Sequence, residues 1–263
     1  MPGHAVSPEL APLLRHWRER LDHRRVAGID STRRRLKDGL TQDEVATLTG
    51  VASSWYRQLE GGSPRPVSEQ FVQRLAMTLR LNESERVTLY QMALGHTPPP
   101  VSAGLNLEVE DHLQVILDDL APHPAYVSNL RWDIVAYNEP QLDWFPWLPY
   151  ERNLMRFAFL YPEAREQLVN WHKDWALPFL AQIRYAIATH PDAAELADLR
   201  DEILAGNDQA QELWGTLQTR AHPDGDVRRF RLPVHNDEEV EVRIVAFAPL
   251  SDPSLRVVVL VRT

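Results

Sequence analysis

The chain contains no cysteine among its 263 residues. That removes disulfides, zinc ribbons and thiol catalysis, and nothing in it points to an oxidising compartment. Long apolar runs are missing too. The longest, such as VVVLV at Val257–Val261, is strand-sized and falls far short of the roughly 18 residues a membrane helix requires. The first residues, MPGHAVSPELAPLLRHWRER, lack the apolar centre of a signal peptide. A cytoplasmic protein with no membrane partner is the expectation. Motifs of catalysis are equally scarce. There is no HExxH or HxH metal spacing, no GxSxG, and no glycine loop able to cradle a phosphate. Asp118-Asp119 and Asp237-Glu238-Glu239 suit solvated loops or helix faces better than a catalytic dyad. The chain is therefore expected not to be an enzyme, and no metal or cofactor is expected.

What is present is unevenly distributed. The net charge of −9 divides into an N-terminal third, residues 1–99, with 14 basic and 11 acidic residues, and a remainder with 14 basic and 26 acidic. Basic residues crowd the start: Arg15, Arg18, Arg20, Arg24, Arg25, Arg33, Arg34, Arg35 and Lys37. A basic module joined to an acidic body suggests a nucleic-acid partner for the first part only. A solvated, charged helix is the competing reading of the same residues.

A boundary follows Leu94-Gly95, where HTPPPVSAG interrupts the helical periodicity with three prolines. We read 1–95 as one domain, 96–104 as linker and 105–263 as a second domain. The first is helical throughout. Leu10, Leu13, Leu14, Trp17 and Leu21 share one face of a helix over Leu10–Asp22, while Ser68 and Asn82 stand as caps before two later helices. Five helices result. In the second domain an amphipathic helix, Leu105–Leu120, precedes two short β-like stretches, Ala125–Asn129 and Trp132–Asn138. A helical middle, Arg152–Leu217, follows, broken near Tyr161-Pro162, His190-Pro191 and Gly206-Asn207. Three strands, Val227–Leu232, Val240–Pro249 and Leu255–Val261, end the chain. This order predicts an α+β domain with an antiparallel sheet.

One stretch of the first domain carries specific chemistry: TQDEVATLTGVASSWYRQLEGG, Thr41–Gly62. Thr41 and Glu44 have capping-box spacing, which satisfies the free amide donors of a helix start. Val45, Ala46 and Leu48 face inward, and Gly50 stands where a tight turn between helices demands a left-handed residue. A second helix over 52–60 turns Tyr56 and Leu59 inward. Ser53, Ser54, Arg57 and Gln58 remain on its outer face, hydrogen-bonding types suited to base edges, with Arg able to grip guanine. Gln42, at the first helix's N-terminus, is placed for a phosphate. Ala52 is a poor N-cap, costing about 1 kcal/mol. Trp55 either covers neighbouring helices or lies at the groove. Double-stranded DNA is the partner this arrangement suits; a plain helical hairpin is the alternative.

Together with LLRHWRERL before it and SPRP after it, this stretch resembles the lambda-repressor-like (XRE-type) helix-turn-helix, and more narrowly the MmyB-like transcription regulators. The resemblance continues through HPAYVSNLRWDIVAYNEP, ERNLMRFAFLYPEAREQLVNWHKDW and HPDAAELADLRDEILAGNDQAQELW. It implies an all-α helix-turn-helix domain followed by an α+β PAS-like domain. In the latter an antiparallel sheet with flanking helices holds a pocket for a fatty acid or another small apolar ligand. One late turn departs from the family pattern: where a His-Pro and a glycine turn are usual, the chain reads RLPVHNDEEV. No role is carried over to that missing histidine.

Six of the eight tryptophans lie beyond the linker, and aromatics dominate both cores and apolar pockets. Trp171 and Trp175, four apart, predict one shared helix side with Leu168 and Phe179, and Phe157 and Trp132 are candidates to join them. A ligand carboxylate would call for a cation, for which Arg152, Arg165 and Arg184 are candidates. Asn153 is better placed as a helix cap. Two-fold operators further suggest a homodimer. A second reading makes the C-terminal domain a dimerisation or protein-interaction module with a filled core.

Overall fold

The computed structural model describes residues 6–7, 9–27, 29, 39–63, 66–98, 111–216, 225–232 and 238–263. The basic run Arg33–Lys37, most of the expected linker, Leu105 and Val109 of the following helix, Leu217, and the turn around Asn236-Asp237 lie outside the described residues. Two compact units divide the chain, Met1–Ala103 and Gly104–Thr263.

The first unit holds α1 (Leu10–Arg20), α2 (Gln42–Thr49), α3 (Ser53–Glu60), α4 (Glu69–Thr78) and α5 (Glu83–Leu94), with a short 3₁₀ turn at His23–Arg25. The starts of α2, α4 and α5 have their reason in the residue before each. Thr41 Oγ1 accepts from the Glu44 amide at 3.2 Å while Glu44 Oε2 accepts from the Thr41 amide at 2.7 Å, closing the capping box. Asn82 and Glu85 repeat the device at α5, and Ser68 caps α4 through the Phe71 amide. At Ala52 no side chain caps α3. Gly50 ends α2 at φ 74°, the left-handed region that glycine enters without strain. The inward faces of all five helices meet in one core around Leu14, Trp17, Val45, Tyr56, Leu75 and Leu89. Gly39 sits where α1 passes so closely that a Cβ would stand 2.5 Å from the Glu19 carbonyl oxygen.

The second unit opens with α6 (Asp111–Asp119), β1 (Ala125–Ser128) and β2 (Ile134–Tyr137). Six helices follow: α7 (Glu139–Trp144), α8 (Leu154–Leu160), α9 (Glu163–Gln167), α10 (Leu177–Thr189), α11 (Ala194–Gly206) and α12 (Asp208–Trp214). The strands β3 (Val227–Arg231), β4 (Glu239–Phe247) and β5 (Arg256–Arg262) complete an antiparallel sheet of order β2-β1-β5-β4-β3. The expected α+β sheet with flanking helices is therefore what forms, and the helical middle breaks at the three expected places. Because successive side chains alternate between sheet faces, the strands serve two environments. Ala125, Val127, Val257 and Val259 pack on Leu113 and Leu117 of α6. Tyr126, Ile244 and Leu260 face the other helices. No helix among the described residues is long and apolar enough to cross a membrane.

Two local features depart from the expected pattern. The short α7 was not anticipated. Its start is fixed by Asn138, whose buried side chain makes four bonds: Oδ1 accepts from the amides of Ala125 and Gln141, and Nδ2 donates to the carbonyls of Leu117 and His123. The second is a π-helical turn over Trp171–Ala176, entered through a left-handed Asn170 at φ 54°. The Trp171 indole donates to the Ala158 carbonyl at 2.8 Å and the Trp175 indole to the Val169 carbonyl at 3.1 Å, so the two rings have different neighbours.

Asn138→Ala leaves the Ala125 and Gln141 amides and the His123 carbonyl without their Asn138 partner, and removes one of two donors to the Leu117 carbonyl. At about 1–3 kcal/mol for each orphaned group that stays dry, the C-terminal unit is expected to lose several kcal/mol in urea denaturation followed by tryptophan fluorescence. A loss below about 1 kcal/mol would show that Asn138 does not organise this corner.

Candidate functional site

The helix pair α2–α3 is positioned by one buried carboxylate. Glu60, the last residue of α3, has a side chain of zero solvent exposure. Arg18 of α1 donates to it twice, Nε to Oε2 at 2.8 Å and Nη2 to Oε1 at 2.6 Å. The Gln42 amide donates to Oε1 at 3.0 Å, and Arg18 Nη1 also reaches the Leu40 carbonyl at 2.7 Å. Burial alone would push the Glu60 carboxyl up, but the hydrogen bonds from Arg18 and Gln42 outweigh it and hold it below the usual carboxylate value. Three helices are thereby locked in register through one end of α3.

The opposite face of α3 is open. Ser54, Arg57 and Gln58 are exposed and Ser53 is half-buried. Arg57 Nη2 donates to Asp43 Oδ1 at 2.6 Å, with both side chains more than half exposed. The Arg57 bond, followed by one from Ser53, holds the Asp43 carboxyl below its usual value. Such a surface pair is weak and screened by salt, so it aims the guanidinium outward without committing it. Trp55 packs edge-on against Phe71, ring centroids 4.7 Å apart; it belongs to the helix packing and not to the open face. Gln42, expected at a phosphate, spends one amide hydrogen on Glu60.

In the second unit, an apolar cavity of about 50 Å³ lies between the sheet and the helices. A single water needs roughly 10–15 Å³, so the space admits several groups of that size. Tyr126, Ile134, Ile244 and Leu260 form its floor, and Phe230 of β3 closes one side. Opposite stand Phe157 of α8, Trp175 from the π turn and Phe179 of α10. Trp147 stacks flat on Phe157 at 3.7 Å, its Nε1 donating to Gln167 Oε1 at 3.0 Å. Trp132, held at φ 62° in the β1–β2 turn, sends its indole into the wall.

Polar groups in this wall are few, and several are unmatched. Trp132 Nε1, Gln141 Oε1 and both amide atoms of Gln182 are buried without a hydrogen-bond partner. Each of the three residues is at most 3% exposed. Buried polar atoms of folded proteins are nearly always paired with protein or water, and these three residues all line the cavity.

A helix-turn-helix domain family matches residues 9–89, and the MmyB-like transcription regulator ligand binding domain matches residues 109–263. The chain belongs to the MmyB-like transcription regulators. No curated protein matches it closely enough to count as a relative. The two matches make the chain a DNA-binding transcription regulator with a ligand-binding domain.

Within this MmyB-like regulator the residues named from sequence are brought together unequally. Ser53, Ser54, Arg57 and Gln58 share α3, with Gln42 at the start of α2. Trp132, Phe157, Trp175 and Phe179 meet at the cavity. Trp171 is drawn away, its Nε1 donating to the Ala158 carbonyl at 2.8 Å and its ring packed on Phe159 and Arg165. None of the three named arginines is on the cavity wall. Arg165 bonds Gln209 and lies over Trp171; Arg184 lies over Trp214 and bonds its carbonyl. Arg152 precedes Asn153, which caps α8 through the Arg156 amide at 2.9 Å. The sequence reading missed Gln141 and Gln182, whose polarity inside apolar stretches was the available signal, and Glu60, whose partner is 42 residues away.

Arg18→Met strands the Glu60 carboxylate in the core and is expected to cost the N-terminal unit about 3–5 kcal/mol. Arg18→Met with Glu60→Leu should recover most of that loss, because the unpaired charge goes with it. In the native protein the folded carboxyl lies below the unfolded value near 4.5. Its contribution is therefore full above that pH and fades as the pH falls through the folded value. Chemical denaturation across that range measures all three; a double variant no more stable than the single would contradict the assignment.

Proposed function

We propose that α3 reads a DNA operator in the major groove and that occupancy of the C-terminal cavity decides when it does so. The observation that carries the first half is the pairing of a buried anchor, Glu60, with an open polar face on the same short helix. Ser53, Ser54, Arg57 and Gln58 read base edges and adjoining phosphates. Gln42, with its second amide hydrogen, and the free amides at the start of α2 meet a phosphate. Arg57 exchanges Asp43 for a guanine edge or a phosphate when DNA arrives. The reading calls for a symmetric dimer on a two-fold site.

The ligand is a small, mainly apolar molecule, with a fatty acid as one candidate, and it acts by binding one domain arrangement more tightly than another. The aromatic wall and its unmatched polar atoms support this over a filled-core interaction module. The domain limits 1–95, 96–104 and 105–263 belong to the same reading, and so does a cytoplasmic location.

Arg57→Ala is expected to weaken operator binding about 10- to 100-fold, from the 1–3 kcal/mol of a bidentate base contact, with an unchanged melting temperature. Unchanged affinity in a fluorescence-anisotropy titration would remove α3 from the interface. For the cavity, native mass spectrometry of the purified regulator should reveal a retained small-molecule mass. Clean apo-protein that no alkyl compound stabilises thermally would favour the interaction module.

A further inference from the structure

The sheet of the second unit has a face that the cavity does not use. Strand alternation turns Glu241, Arg243, Val245 and Phe247 of β4 away from the lining residue Ile244. The β4–β5 register sets Val245 opposite Val259 and Phe247 opposite Val257. Val257 and Val259 pack in turn on Leu113 and Leu117 of α6. The outer face thus consists of α6 lying over β1 and β5, with β4 and β3 beside it. Gln114 Nε2 donates to the Tyr137 carbonyl at 3.2 Å, so its flank of α6 points to β2. Ile116, about 200° round the helix from Gln114, lies on the flank towards β4. Val115 points outward, between the inward Leu113 and Leu117.

This face is apolar where it meets water. Val115 is 59% exposed, Ile116 48% and Phe247 50%. Single apolar residues are ordinary on a surface, but a strip that crosses a helix and the strand beside it marks an interaction site. Charge on the same face is divided. α6 ends in exposed Asp118 and Asp119 with no basic residue in its last turn, where the helix dipole is already negative. Among the described residues neither carboxylate forms an ion pair; Asp118 accepts from Gln114 at 2.9 Å. On β3 and β4 the balance reverses. Arg229 and Arg231 share Glu239, while the exposed Arg243 reaches the Gly225 carbonyl at 3.4 Å and, among the described residues, no carboxylate. An acidic helix end and a basic strand surface on either side of one apolar strip are complementary to each other, and a two-fold axis brings such a face against its own copy.

We propose that a second copy of the chain docks on this face. In the two-fold contact α6 of each copy lies along β4 and β3 of the other. Val115 and Ile116 pack against the partner's Phe247, and Asp119 meets the partner's Arg243. Symmetry makes each contact twice. The contact supplies the dimer that a two-fold operator calls for; it rests on that reading for its purpose and on the sheet face for its geometry.

Sedimentation equilibrium of the full-length protein without DNA, across micromolar concentrations, tests the contact. The native chain is expected to dimerise. Val115→Lys and Phe247→Lys should each raise the dissociation constant at least about tenfold, because each buries an ammonium at the centre of the contact. Tyr185→Lys, a change at a comparably exposed residue of α10, should leave it within about twofold. Asp119→Arg and Arg243→Glu should each weaken the dimer, and the two together should restore part of the loss. A native chain that stays monomeric overturns the proposal without any variant and leaves the role of α3 untouched. A dimer that neither lysine variant weakens overturns it as well, and so does a charge exchange that restores nothing. A Phe247→Lys monomer that binds the operator with native affinity leaves the contact standing and overturns the two-fold reading of the DNA site instead.

Discussion

A polar group taken out of water has to find a partner inside the protein, and both units are organised around side chains that meet this demand. Glu60 in the first unit has no solvent exposure and is surrounded by donors from α1 and α2. Asn138 in the second uses its carboxamide fully, as two acceptor and two donor contacts. A buried charge or amide tolerates few geometries, so each residue fixes several elements at once. Glu60 holds α3 against α1 and α2; Asn138 ties α6, β1 and α7 to one another.

The same demand explains where function is concentrated. Arg57 is paired on the surface, where pairing is weak and an exchange of partners costs little. Around the cavity the demand is unmet: Trp132, Gln141 and Gln182 bring polar atoms into an apolar wall without satisfying them. Stability would favour apolar replacements at such positions. A regulator needs the opposite, since only a state that gains from the ligand can be shifted by it. The first unit satisfies the buried Glu60 carboxylate behind α3, whereas the cavity wall of the second leaves polar atoms of Trp132, Gln141 and Gln182 unmatched.

Much of this was legible in advance. The capping boxes at Thr41 and Asn82, the left-handed Gly50 and the inward set Val45, Leu48, Tyr56 and Leu59 depend on residues a few positions apart, and short-range rules describe them well. The strands and the breaks at Pro162, Pro191 and Asn207 come from the same kind of signal. Where the expectation failed, the cause was local geometry that composition does not reveal. Nothing in WHKDWA distinguishes a π turn from an α turn, or shows that Trp175 lines the cavity while Trp171 donates to the Ala158 carbonyl.

Patterning along the chain decided the helix-turn-helix, its outward polar face, the antiparallel sheet and the aromatic character of the acidic half. All of these follow from periodicity and turn chemistry. Tertiary structure alone decided which charges meet. Arg18 reaches Glu60 across 42 residues, and the three arginines named for a ligand settle on Gln209, on Trp214 or beside the α8 cap. The reason is physical: backbone preference acts over a turn or two, whereas the pairing of a buried charge is settled only when distant elements pack and exclude water.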